Sequence, residues 1–128
     1  MKRLIIIAIA LVLILIISLA TINGKDRNYQ KITPEDAKKM LEKNDDVFLI
    51  DVRTKEEYNE KHIEGSILVP LDVLEEKIDE VVKDKNKEII VYCRSGRRSK
   101  KAANILLELG YNNVYDLGGI IDWPYKTE

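Results

Sequence analysis

Two kinds of apolar pattern divide the chain. After Lys2 and Arg3, an uncharged and almost wholly apolar run extends from Leu4 to Ile22; beyond it, apolar residues come in short bursts separated by amphipathic stretches. At about 1.5 Å per helical residue the first run reaches roughly 28 Å, close to the hydrocarbon thickness of a bilayer. A buried core helix of that composition would need apolar partners on every side, and the rest of the chain has too few to spare. The run therefore predicts one N-terminal hydrophobic helix, residues 1–23, acting as a transmembrane anchor or signal peptide. Ser18-Leu19-Ala20 has the small residues of a cleavage site, but the run exceeds the ~7–15 residues of an ordinary signal peptide, which favours an uncleaved anchor. The leading positive charges keep the N-terminus in the cytoplasm and send the following domain to the extracytoplasmic side, as an exported soluble form if the segment is cleaved. No cysteine lies near the end of the run, so lipoprotein attachment there is excluded.

Residues 24–31 read as a polar linker and 32–128 as one domain. In TPEDAKKMLEKND, Thr33 can cap, Pro34 suits the first helical position, Asp36 can reach back as in a capping box, and Ala37, Met40 and Leu41 form an apolar stripe. VFLID is a short apolar run ended by a charge, as expected of a strand buried on both faces of a parallel sheet. TKEEYNEKH then predicts a short polar helix, SILVP a second buried strand, and LDVLEEKIDEVV a helix with Leu71, Leu74, Ile78 and Val81 or Val82 inward. EIIVY is a third strand running into Cys93, followed by the helix RSKKAANILLELG, whose Ala102, Ala103, Leu106 and Leu109 face inward and which Gly110 closes. NNVYDL is the last strand. Strands alternating with helices specify an α/β sandwich whose central sheet is mainly parallel.

Charge and cysteine usage narrow the functions this domain can have. Setting Lys2 and Arg3 aside, 19 basic residues stand against 22 acidic ones, a mildly acidic balance that argues against nucleic-acid binding. Cys93 is the only cysteine, so no internal disulfide exists, and an exported protein that keeps one thiol either buries it or uses it.

The loop CRSGRRS, from Cys93 to Ser99, favours use. Ligands of parallel α/β sheets bind beyond the carboxyl ends of the strands, where Cys93 falls. Backbone N–H groups of the loop and first helical turn have no helical partners, so a loop curling around the sulfur aims partial positive charges at it. Arg94, Arg97 and Arg98 act in the same sense, Gly96 permits a tight turn, and Ser95 and Ser99 can donate hydroxyl hydrogen bonds. The pattern is an anion cradle with a nucleophile at its base. Anion binding falls first to Arg94 and Arg97, with Arg98 and Lys100 turned partly to solvent.

From Ile32 to Trp123 the chain resembles a single-domain rhodanese, a sulfurtransferase. The loop CRSGRRS has the family's six-residue spacing. LIDVRTKEEYNEKHIEGSILVPL is similar to its first signature, with Asp51, Val52, Arg53, Glu57, Tyr58, His62, Ile63, Gly65 and Pro70 in the expected places. VYDLGGIIDW resembles its closing motif. Lys61, where a glycine often precedes the histidine, and Ser66, in place of alanine, depart from the pattern. The resemblance implies a rhodanese-like α/β sandwich and a two-step transfer. In it the Cys93 thiolate takes a sulfane sulfur from thiosulfate or a similar donor, becomes a persulfide, and passes the sulfur to a thiol, cyanide or protein acceptor. It implies no metal and no organic cofactor. Arg94, Ser95, Gly96, Arg97, Arg98 and Ser99 would hold the substrate, while Asp51, Arg53 and His62 would support the site: the first two as an ion pair, His62 as a structural hydrogen-bonding residue.

Other functions remain open on the same residues: a membrane-tethered persulfide carrier or sensor serving one partner, or an interaction module. A phosphatase or arsenate reductase is disfavoured, because Ser99 stands where the arginine of the longer phosphatase loop would fall.

Overall fold

The alternation of strands and helices in the sequence is realised in the computed structural model, which describes residues 1–22 and 28–128. In chain order the elements are α1 (Lys2–Ile22), β1 (Gln30–Lys31), α2 (Pro34–Lys43), β2 (Phe48–Asp51), α3 (Lys55–Glu60), β3 (Ile67–Leu68), α4 (Leu74–Val81), β4 (Glu88–Cys93), α5 (Arg97–Glu108) and β5 (Asn113–Gly119). The strands form one sheet in the order β1-β5-β4-β2-β3, every pairing parallel, with β4 at its centre.

The alternation of side chains along β4 builds two core layers. Ile89, Val91 and Cys93 face one side, where Leu74 and Ile78 of α4, Val82 beyond it, and Ala102, Ala103 and Leu106 of α5 cover them. Ile90 and Tyr92 face the other, packing with Leu49, Ala37 of α2, Ile63, Leu117 and Ile120. Cys93 therefore completes a buried strand on the α5 side, and α5 begins only four positions later. Gly110 ends α5 at φ +94°, a left-handed conformation that suits glycine, and Tyr111 N–H closes the helix onto Leu106 O at 3.0 Å.

Several boundaries differ from the sequence expectations. Gln30 and Lys31, assigned to the linker, pair with Tyr115 and Asp116 of β5, so the domain starts earlier than residue 32; two polar residues carry no periodicity that could announce a strand. Residues 23–27, the end of the expected anchor and the start of the expected linker, lie outside the described residues. SILVP yields two strand residues at the sheet edge, with Ile67 39% exposed, rather than a strand buried on both faces. The next helix opens with a 3-10 turn, Leu71–Val73, before α4. At α2, Thr33 Oγ1 accepts from Asp36 N–H at 3.1 Å as expected, but the reciprocal capping box forms at α3, between Thr54 and Glu57.

All described side chains of α1 are exposed. Among the described residues no helix is long and apolar enough to cross a membrane.

Candidate active site

β4 delivers Cys93 to the carboxyl edge of the sheet, 1% exposed, and the chain then turns through Arg94, Ser95 and Gly96 into α5. Gly96 adopts φ +110°, a conformation that L side chains rarely take, and this turn points its N–H back at the sulfur, 3.0 Å from Sγ. Ser99, fully buried on the first turn of α5, locks the curl by donating its hydroxyl to Gly96 O at 3.1 Å. Burial pushes the Cys93 thiol up, but the N–H groups of Ser99, Gly96 and Ser95 and the Ser99 hydroxyl outweigh it, leaving the thiol more acidic than an ordinary cysteine.

The strand next door supports the loop. Ile121 N–H donates to Arg94 O at 3.3 Å, and Gly119 lies directly beneath the turn. A Cβ at Gly119 would stand 2.7 Å from Ser95 Cα and 2.8 Å from Arg94 C, and closer still to Arg94 O, all of them backbone atoms. The loop rests against β5 at a distance that only glycine allows.

The three arginines divide. Arg98 is partly exposed, as its place on α5 suggests, and it also grips Glu57 of α3 through a fork of 2.6 and 2.9 Å. The Arg98 hydrogen bonds bring the Glu57 carboxyl down to about 2, with burial opposing and Thr54 assisting. Arg94 is exposed and lines an open cavity of about 550 Å³ beside the loop, together with cationic Arg53 and Lys61, acidic Glu57 and Glu60, and apolar Ile120 and Ile121. Arg97, at the first position of α5, is exposed, and Ser95 is exposed as well.

Asp51 and Arg53 make the expected ion pair, 2.7 Å apart and almost wholly buried. Arg53 also donates to Lys61 O at 2.6 Å, fixing the segment that follows α3. His62 stacks on Tyr58 with ring centres 3.8 Å apart, and its nitrogens contact Tyr58 O at 2.8 Å and Glu128 Oε2 at 3.3 Å. Its hydrogen bonds lead to α3 and the C-terminus, not to the cysteine loop.

Four contributors escaped the sequence reading of the site. Glu57 was visible as the end of a Thr54-x-x-Glu57 capping pattern, but not as the partner of an arginine 41 positions away. Tyr92, expected only as the end of a strand, places its buried hydroxyl 2.9 Å from Ser66 Oγ and accepts from Ile63 N–H at 3.1 Å, so the residue before the cysteine pins the far side of the sheet. Gly119 and Ile121 carried no sequence signal of their contact with the loop.

The chain is similar to known proteins. The family model for the rhodanese-like domain matches residues 33–124. The thiosulfate sulfurtransferase PspE of Escherichia coli is 45% identical over 73 residues, covering 57% of this chain and 70% of that protein. A sulfurtransferase of Allochromatium vinosum is 35% identical over 94 residues, 73% of this chain and 86% of its own. Among solved structures, a rhodanese with anions from E. coli superposes with a TM-score of 0.62 at 40% identity, over 64% of this chain and 96% of that one. With a parallel α/β sheet, a cysteine loop at its carboxyl edge and a match spanning most of the folded residues, the chain belongs to the rhodanese-like domain family.

Proposed function

We propose that this protein is a thiosulfate sulfurtransferase working through a persulfide on Cys93. The observation that carries the reading is the Gly96 N–H directed at Sγ from 3.0 Å within a loop that holds the thiol pKa below its ordinary value. The thiolate attacks the outer sulfur of thiosulfate, the S–S bond of the donor breaks, and sulfite leaves with the bonding pair. Cys93 is left as Cys–S–S⁻. An attacking acceptor such as cyanide then takes the outer sulfur, and the electron pair of the persulfide bond returns to Sγ as thiolate. Donors aimed at the sulfur stabilise the anion at both stages. Arg94 at the cavity and Arg97 at the start of α5 are the cations available to a dianionic donor, since Arg98 is engaged by Glu57. Asp51 and Arg53 hold the site in shape, and His62 orders the α3 end and the C-terminus. No metal or organic cofactor takes part.

The test is intact mass before and after thiosulfate. A gain of about 32 Da on the native chain and none on Cys93→Ser is expected of a cysteine nucleophile. No gain with thiosulfate or another sulfane donor would refute the reading and leave an interaction module in its place.

We also infer that α1 tethers the domain to a membrane, with the domain on the extracytoplasmic side. In support, the helix carries no charge between Leu4 and Ile22, and its large aliphatic side chains from Leu4 to Ile17 are 53–71% exposed, an arrangement that water penalises. Retention of the full chain in membranes after an alkaline wash is expected. Release by that wash would sink the tether, and resistance of the domain to an impermeant protease in intact cells, lost on lysis, would reverse the orientation.

A further inference from the structure

The cavity beside the cysteine loop, which Arg94 lines and Cys93 itself does not, is far larger than the chemistry of thiosulfate and cyanide requires. A five-atom donor and a two-atom acceptor fill a small part of about 550 Å³. Its wall is also uneven in charge. Arg53 is neutralised by Asp51 at 2.7 Å and Glu57 by Arg98 at 2.6 Å, so the unpaired cations among the described lining residues are Lys61 and Arg94, against one unpaired acid, Glu60. Ile121 adds an aliphatic face that is 66% exposed, the most exposed large apolar side chain described in the chain after α1.

Neither Lys61 nor Ile121 is loosely placed. Lys61 O accepts from the buried Arg53 guanidinium at 2.6 Å, which fixes the backbone from which the ammonium projects. Ile121 N–H is bonded to Arg94 O within the cysteine loop itself. One residue follows α3 and the other follows β5, and both line the same cavity.

We propose that Lys61 and Ile121 form an acceptor subsite selecting an organic thiol that bears a carboxylate, Lys61 meeting the carboxylate and Ile121 covering the aliphatic carbons between it and the sulfur. The proposal rests on the sulfurtransferase reading. The acceptor thiolate attacks the outer sulfur of the Cys93 persulfide, the S–S bond to Sγ breaks, its electron pair returns to Sγ, and the product leaves as an organic persulfide. Oxidation states balance without a further reagent. An exposed lysine against a carboxylate is worth a factor of about two to five, and partial cover of two methylenes by an aliphatic side chain a similar factor.

The experiment loads the full chain with thiosulfate, verifies the added sulfur by mass, and measures kcat/KM for discharge by 3-mercaptopropionate, 2-mercaptoethanol and cyanide in the native protein, Lys61→Gln and Ile121→Ser. Both side chains are solvent-facing, so neither change removes core packing. Lys61→Gln is expected to lower the ratio of 3-mercaptopropionate to 2-mercaptoethanol efficiency about threefold, and Ile121→Ser to lower both thiols about threefold relative to cyanide. Ratios unchanged in both variants overturn the subsite while the sulfurtransferase stands. A native chain that takes up no sulfur overturns both.

Discussion

Replacing Gly119 by alanine tests whether the approach of β5 sets the chemistry of Cys93. The new Cβ would stand 2.7 Å from Ser95 Cα and 2.8 Å from Arg94 C, where ordinary contacts begin at 3.4 Å. The loop must therefore retreat by roughly 0.7 Å or more, at a cost of about 1–3 kcal/mol typical of overpacking. Cys93 cannot follow, because β4 holds it in register with Gly119. The Gly96 N–H, now 3.0 Å from Sγ, is carried toward the limit of hydrogen bonding. Losing one hydrogen bond to the thiolate costs about 1.5–3 kcal/mol, roughly tenfold or more in thiolate population, and so raises the thiol pKa from its lowered value. The assay is the pH dependence of iodoacetamide alkylation, read by mass. Native Cys93 should turn reactive at lower pH than the variant, and near pH 7 the variant should alkylate and load sulfur about tenfold more slowly. A variant whose melting temperature falls while its alkylation profile stays in place would refute the reasoning, since the loop would then have been displaced without its N–H groups mattering.

The Arg98 fork makes Glu57 a pH-dependent fastener. Its folded carboxyl titrates at about 2 instead of near 4.5, so its stabilisation is complete above about pH 5 and is lost as pH falls toward 2. With partial exposure that contribution is about 1 kcal/mol, and native and Glu57→Gln chains should differ in urea midpoint at pH 7 and converge by pH 2.5; a constant gap would contradict it. Tyr92→Phe leaves Ser66 Oγ and Ile63 N–H without their shared partner and should cost about 1–3 kcal/mol in urea unfolding, with no loss indicating that the hydroxyl is dispensable. Arg94→Ala and Arg97→Ala should each raise the KM for thiosulfate more than they lower kcat, as donor-binding cations do. A pure kcat effect would place them in the chemical step.

The parts of the domain that sequence made legible are those whose physics is local. The loop from Cys93 to Ser99 is legible because cysteine, glycine turn and helix start are contiguous, and EIIVY reads as a buried strand. The stripe of α5 and the cap of α2 are likewise written within one or two turns. What escaped depends on distance along the chain. The Arg98–Glu57 fork spans 41 positions, the contact of Tyr92 with Ser66 spans 26, and Gly119 meets Arg94 only after β5 pairs with β4. Strands β1 and β3 have two residues each, too short for any period to declare them. The hydrophobic run at the N-terminus is plain in composition, yet its described side chains are exposed rather than packed into the fold.

The sheet order also dictates when the thiol becomes reactive during synthesis. Cys93 emerges before Gly118 and Gly119, which belong to the last strand made, and β5 occupies the slot between β4 and β1. Until that slot is filled, nothing props the turn from Arg94 to Gly96 against the sheet, and parallel pairings between distant segments are late events in folding. A nascent or truncated chain therefore presents Cys93 as an ordinary thiol, mostly protonated at neutral pH and slow toward oxidants and electrophiles. The lowered thiol pKa arrives with the completed domain, so the final strand acts as a timer on the acidity of Cys93.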